Sequence, residues 1–175
     1  MDTVSRPAVI LVAALSLGGC LGVPTPEEQI TAGIGHDDDG PEHNPGRPCT
    51  YCHSRFAFAG TVYTSWFGPD GIDEEGNERG RRGVSVTITD DGGRSATAVS
   101  NGAGNFAFAT GGDLEEGFTR LGFTPEFPVS VTIREGAIER VMRTPLRAER
   151  SCNICHAGAA SERSAGRVYL SEPAP

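Results

Sequence analysis

Hydrophobic positions in the middle of the chain alternate with polar ones, and no stretch repeats them convincingly at helical spacing. Val84, Val86 and Ile88 are interleaved with Ser85, Thr87 and Thr89, the period-two signature of a half-buried strand. Phe127, Val129, Val131 and Ile133 repeat it over 127–134, and Ile138 and Val141 mark a strand over 137–144. The stretch 56–66 is dense in aromatic and β-branched residues and reads as a strand, as do 95–100, 105–110 and a short 166–170. Asp90-Asp91-Gly92-Gly93, Asn101-Gly102-Ala103-Gly104 and Glu135-Gly136 punctuate these runs as turns. The segments 67–82 and 111–126 are Gly-rich and acidic and read as loops. Seven short strands separated by turn signals predict an all-β chain, a single seven-stranded antiparallel β-sandwich.

The first residues have another pattern. Arg6 gives a short basic start, offset by Asp2, and 7–17 is mostly apolar but too short to span a bilayer. This reads as an export signal over 1–19. The following Leu17-Gly18-Gly19-Cys20 resembles the bacterial lipobox. That resemblance implies cleavage before Cys20, a diacylglycerol on its thiol and an acyl chain on its amine, a set of chains sufficient for stable anchoring. Leu21, rather than Asp, after the cysteine implies by the same rule the outer membrane. Residues 20–48 are rich in Pro, Gly and acids without apolar periodicity, and predict a disordered tether ahead of a sandwich over 49–172.

Composition agrees with this reading. The 175 residues suit one domain, and 37% apolar content disfavours a large helical core or a multi-pass membrane protein. Gly and Pro number 24 and 12, about a fifth of the chain against roughly 12% in average usage. The formal charge is −8, all 15 cationic residues are Arg, and removing 1–19 leaves the balance unchanged. Such a chain lacks the net basic face that phosphate binding needs, so no nucleic-acid partner is expected.

Five cysteines are the informative residues. With Cys20 assigned to the lipid, the other four form Cys49-Thr-Tyr-Cys52-His53 and Cys152-Asn-Ile-Cys155-His156. Both are C-x-x-C-H, the attachment signature of c-type haem. Two thiols three positions apart on one turn can reach both vinyl groups of a porphyrin, and the next residue brings an imidazole to the iron. The chain has four His, and two occupy these positions. His43 and His36 lie 6 and 13 residues before Cys49 and are candidate distal ligands, although His36 opens the acidic run Asp37-Asp38-Asp39. Met142 is a further conceivable ligand, but its place in a strand favours core packing. Three other uses of the cysteines stay open: a four-cysteine zinc site, in which the His would be bystanders; disulfides between the pairs; and thiol–disulfide exchange, for which the usual βαβ setting is not visible.

Gly60-Thr-Val-Tyr63, Gly83-Val-Ser-Val-Thr-Ile88 and Ser100-Asn-Gly-Ala-Gly-Asn-Phe106 resemble the carboxypeptidase regulatory-like (transthyretin-like) β-sandwich. The ensemble over about 49–170 also resembles bacterial lipoproteins in which such a sandwich is bracketed by C-x-x-C-H motifs and ends in a Gly-Arg-hydrophobic strand like Gly166-Arg167-Val168. Counting six antiparallel strands between the motifs places both at one pole, with Leu114, Phe118, Leu121 and Phe123 as an apolar cover. No catalytic constellation is visible.

The resulting expectation is a lipid-anchored dihaem c-type cytochrome, one haem being the lesser variant. Cys49, Cys52, Cys152 and Cys155 would attach the haems, and His53 and His156 would ligate the irons. The acidic surface suits a redox protein partner with a basic face. The alternative is a non-redox surface module whose cysteines bind zinc or form disulfides.

Overall fold

The computed structural model describes residues 40–42, 45–64, 80–111, 117–156 and 164–170. Seven strands form two sheets: β1 (Phe56–Thr61), β2 (Ser85–Thr89), β3 (Ser95–Val99), β4 (Asn105–Ala109), β5 (Phe118–Arg120), β6 (Ser130–Glu135) and β7 (Ile138–Val141). The strand orders are β1-β4-β5 and β3-β2-β6-β7. The chain is therefore all-β, and the period-two run predicted over 84–89 buries Val84, Val86 and Ile88 while its polar positions are half-buried. Phe58, Val62, Phe106 and Phe108 pack with Val84, Val86, Ile88, Val129 and Leu146 in one core. Met142 packs partly buried against it, as its predicted strand position favours.

The observed strands differ from the seven that periodicity marks. Residues 118–120, inside an expected loop, form β5, and β5 runs parallel to β4 rather than antiparallel. Its entry depends on Gly117, whose φ of +88° and approach to the Asn105 carbonyl leave no room for a side chain. A strand of three residues is too short to show a period. Conversely, 166–170 does not form a strand. Tyr169 makes only an isolated parallel bridge to Tyr63.

Two single helical turns interrupt the β structure, η1 (Cys49–Tyr51), a 3-10 turn, and α1 (Cys152–Cys155). No helix is predicted from periodicity, because each is shorter than two turns. Among the described residues no helix is long and apolar enough to cross a membrane.

Burial separates the sheets. β2 alternates, whereas β4 and all but the first residue of β1 are buried. Chain on either side of the strands supplies further cover. Residues 40–42 and 45–48, at the end of the stretch whose composition predicts a tether, bond to the domain. The Pro41 carbonyl accepts from Asn101 Nδ2 at 2.6 Å, Glu42 Oε1 accepts from the Gly102 amide at 2.9 Å, and the Gly46 amide donates to Thr61 Oγ1 at 2.8 Å.

Candidate functional site

Both cysteine motifs close by the same backbone bond. The His53 amide donates to the Cys49 carbonyl at 3.0 Å, and the His156 amide to the Cys152 carbonyl at 2.9 Å. Each bond spans four residues, so the two cysteines and the histidine of each motif share one turn.

The two turns converge on β1. Three amides of β1 and its extension, at alternate positions, point to the chain carrying the second motif. Ala59 donates to the Arg150 carbonyl at 2.9 Å, Thr61 to Asn153 Oδ1 at 3.1 Å, and Tyr63 to the Val168 carbonyl at 2.8 Å. The middle acceptor is a side chain standing where a neighbouring strand would offer a carbonyl. Asn153 also donates through Nδ2 to the Arg47 carbonyl at 2.7 Å and to Thr61 Oγ1 at 3.1 Å. Thr61 Oγ1 in turn donates to Asn105 Oδ1 at 2.8 Å. One fully buried amide thus joins the second motif, β1 and the residues just before the first motif. The expectation that the motifs meet agrees with this geometry. Their meeting place is the side of β1 rather than a pole, because the parallel β5 breaks the strand count used to infer it.

Close approach at β1 needs Gly60. A Cβ there would lie 2.8 Å from Cys152 Cβ and 2.9 Å from Phe106 Cζ. Cys152 is accordingly buried, and burial pushes its thiol up to about 12, with charge on Cys49 adding to the effect. Cys49 is half-buried and donates to the Arg47 carbonyl at 3.3 Å. Burial pushes its thiol up to about 11, its own backbone bond opposes that, and Cys52 adds to it. Cys49, Cys52 and Cys152 are free thiols, and Cys52 is exposed.

The histidines differ in setting. His53 stacks on Phe56, centroids 4.7 Å apart at 18°, and Phe56 meets Phe118 at 5.0 Å. Of the expected apolar cover, Phe118 therefore does reach the first motif through Phe56. Leu121 and Phe123 pack instead with the core. His156 Nδ1 lies 2.7 Å from the Gly166 carbonyl. A carbonyl only accepts, so Nδ1 carries a proton, and in the neutral imidazole Nε2 then keeps its lone pair. This is the arrangement in which a histidine ligates a metal while a backbone acceptor orients it. The Gly166-Arg167-Val168 run supplies that carbonyl, the acceptor for Tyr63, and a guanidinium 5.0 Å from the Tyr63 ring.

Cys20, His36, His43 and Leu114 lie outside the described residues. Among the described residues, no group of three or more His, Cys, Asp or Glu is gathered so as to hold a metal ion. Asn153, Thr61, Asn105 and Gly60 are not singled out as site residues by sequence reading. Asn153 is an interior x of C-x-x-C-H, and Thr61 and Asn105 become partners only through the β1–β4 register.

Compared with protein-family models, curated proteins and solved structures, the chain matches none.

Proposed function

We propose that the mature chain is a lipid-anchored dihaem c-type cytochrome that carries electrons in the periplasm or at the cell surface, tethered to the outer membrane through Cys20. The observation that carries this reading is the pair of like turns, each presenting two cysteines and the following histidine, with His156 oriented by Gly166 so that Nε2 is available. Cys49 and Cys52 would hold one haem and Cys152 and Cys155 the other, with His53 and His156 as proximal ligands and His43 or His36 as distal candidates. When bound, each haem supplies a one-electron ferric–ferrous couple. The first turn fits such a group through its exposed Cys52 and through His53 on an aromatic shelf, and attachment would release the half-buried Cys49 sulfur from the Arg47 carbonyl. The second fits through His156, but its buried Cys152 requires attachment before the turn docks on β1. The acidic chain would meet a redox partner with a basic surface.

A second reading has its own observation. A buried Cys152 and a half-buried Cys49, close enough that charge on Cys49 acts on the Cys152 thiol, suit a non-redox surface module in which cysteines staple the domain or bind zinc. Expression with haem-maturation machinery separates the two. Visible spectra before and after dithionite, with intact mass, are expected to show a sharp reduced α-band and two added porphyrins. A colourless protein with stoichiometric zinc or only disulfides sinks the cytochrome reading.

A further inference from the structure

We propose that Asn153 is a positioning residue that locks the two Cys-x-x-Cys-His turns into one unit and so fixes the separation of the haems they would carry; this rests on the dihaem reading above. The geometry is specific to its two ends. Oδ1 accepts from the Thr61 amide, which docks the second turn on β1, while Nδ2 donates to the Arg47 carbonyl, two residues before Cys49. Thr61 Oγ1 closes the circuit by accepting from the Gly46 amide and from Asn153 Nδ2 and donating to Asn105. All of Asn153 is buried, so no water replaces a lost partner without a rearrangement. The link spans 106 positions of sequence and is made by a residue whose only evident task in the motif is spacing.

Asn153→Asp is the discriminating variant. When its carboxyl is ionised it keeps an oxygen for the Thr61 amide and sets a second oxygen against the Arg47 carbonyl, cutting the link between the turns while leaving the second turn an anchor. Because a neutral carboxyl would still donate to that carbonyl, exchange is read on the alkaline side of its titration. Thr61→Val removes the hydroxyl at constant shape, and Thr61→Ser restores it. In full-length protein, hydrogen exchange at Gly46 and in the first turn is expected to rise roughly ten-fold or more in Asn153→Asp and Thr61→Val. It should stay at the wild-type rate in Thr61→Ser, and be unchanged in β2 and β6 of all three. In protein whose mass shows two haems, the frozen-solution EPR spectrum of the oxidised wild type is expected to depart from the sum of two single-motif variants, made by replacing both cysteines of one motif with Ala. In Asn153→Asp, with both haems retained, that departure is lost. Wild-type exchange rates around Gly46 in Asn153→Asp, or an undiminished departure in its EPR spectrum, overturns the positioning role. A chain that takes up no haem sinks the dihaem reading and the electron-exchange role together, and the exchange rates then decide only whether Asn153 joins the turns.

Discussion

The side-chain amide of Asn153 does for Thr61 what a strand carbonyl would do: its Oδ1 accepts the Thr61 amide between two neighbouring positions served by the Arg150 and Val168 carbonyls. Replacing it with isosteric Leu leaves the buried Thr61 amide without its partner and takes one of two donors from the part-buried Arg47 carbonyl. Each such loss costs about 1–3 kcal/mol. Chemical denaturation of Asn153→Leu is therefore expected to show a loss of roughly 2–5 kcal/mol. A loss below about 0.5 kcal/mol, the range of ordinary surface substitutions, would contradict the burial assigned to it.

Gly60→Ala places a methyl against Cys152 Cβ and Phe106 Cζ. Overpacking of this kind costs about 1–3 kcal/mol. Because the nearest atom is Cβ itself, Cys152→Ala is not expected to rescue the variant. Urea melts of both single variants and the double check this, and full rescue would place the conflict at the sulfur instead.

The haem-free chain is expected to lose stability in alkali. Cys152 and Cys49 rise from an ordinary 9.0 to about 12 and about 11 on folding. A raised folded pKa contributes stability that is complete below the unfolded value and is lost as pH climbs through the folded one. The decline thus begins near pH 9 and runs to about 11–12, at no more than about 1.4 kcal/mol per pH unit for each thiol. Cys152→Ala should flatten this limb in melts across that range. A thioether sulfur has no proton to lose, so a haem-bearing chain should lack the contribution altogether.

Thiol reactivity should separate the cysteines in the haem-free protein. Maleimide labelling followed by peptide mass mapping is expected to modify the exposed Cys52 first and Cys152 only after unfolding. Equal rates in folded protein would show that the second turn does not stay docked on β1.

His156→Met tests the ligand assignment. A thioether in place of an imidazole raises the potential of a haem iron, so one of two centres should shift upward in a redox titration and the other should stay. Two shifted centres, or none, would detach His156 from that role.

The alternation of Val84, Val86 and Ile88 makes the second sheet legible from sequence, because one face of β2 is core and the other is not. The same rule is blind to β4, buried at every position, and to β5, too short for a period. At the site, the repeated Cys-x-x-Cys-His spacing points to residues that form two like turns. It says nothing of Asn153, because a spacer position acquires meaning only when the fold brings Arg47, 106 positions away, and Thr61 to it. The pole expected from strand parity fails for a related reason, since a parallel neighbour cannot be seen in local alternation.

The stretch Phe-Ala-Phe-Ala-Gly-Thr that forms β1 carries no charge, and it lies at the margin of its sheet. Left bare, such a margin is a template on which other chains can add strands and aggregate. The segment bearing the second motif is what blankets it. A chain whose second motif fails to dock is thus expected to self-associate, so the contact that seats this turn also guards the margin of the sheet.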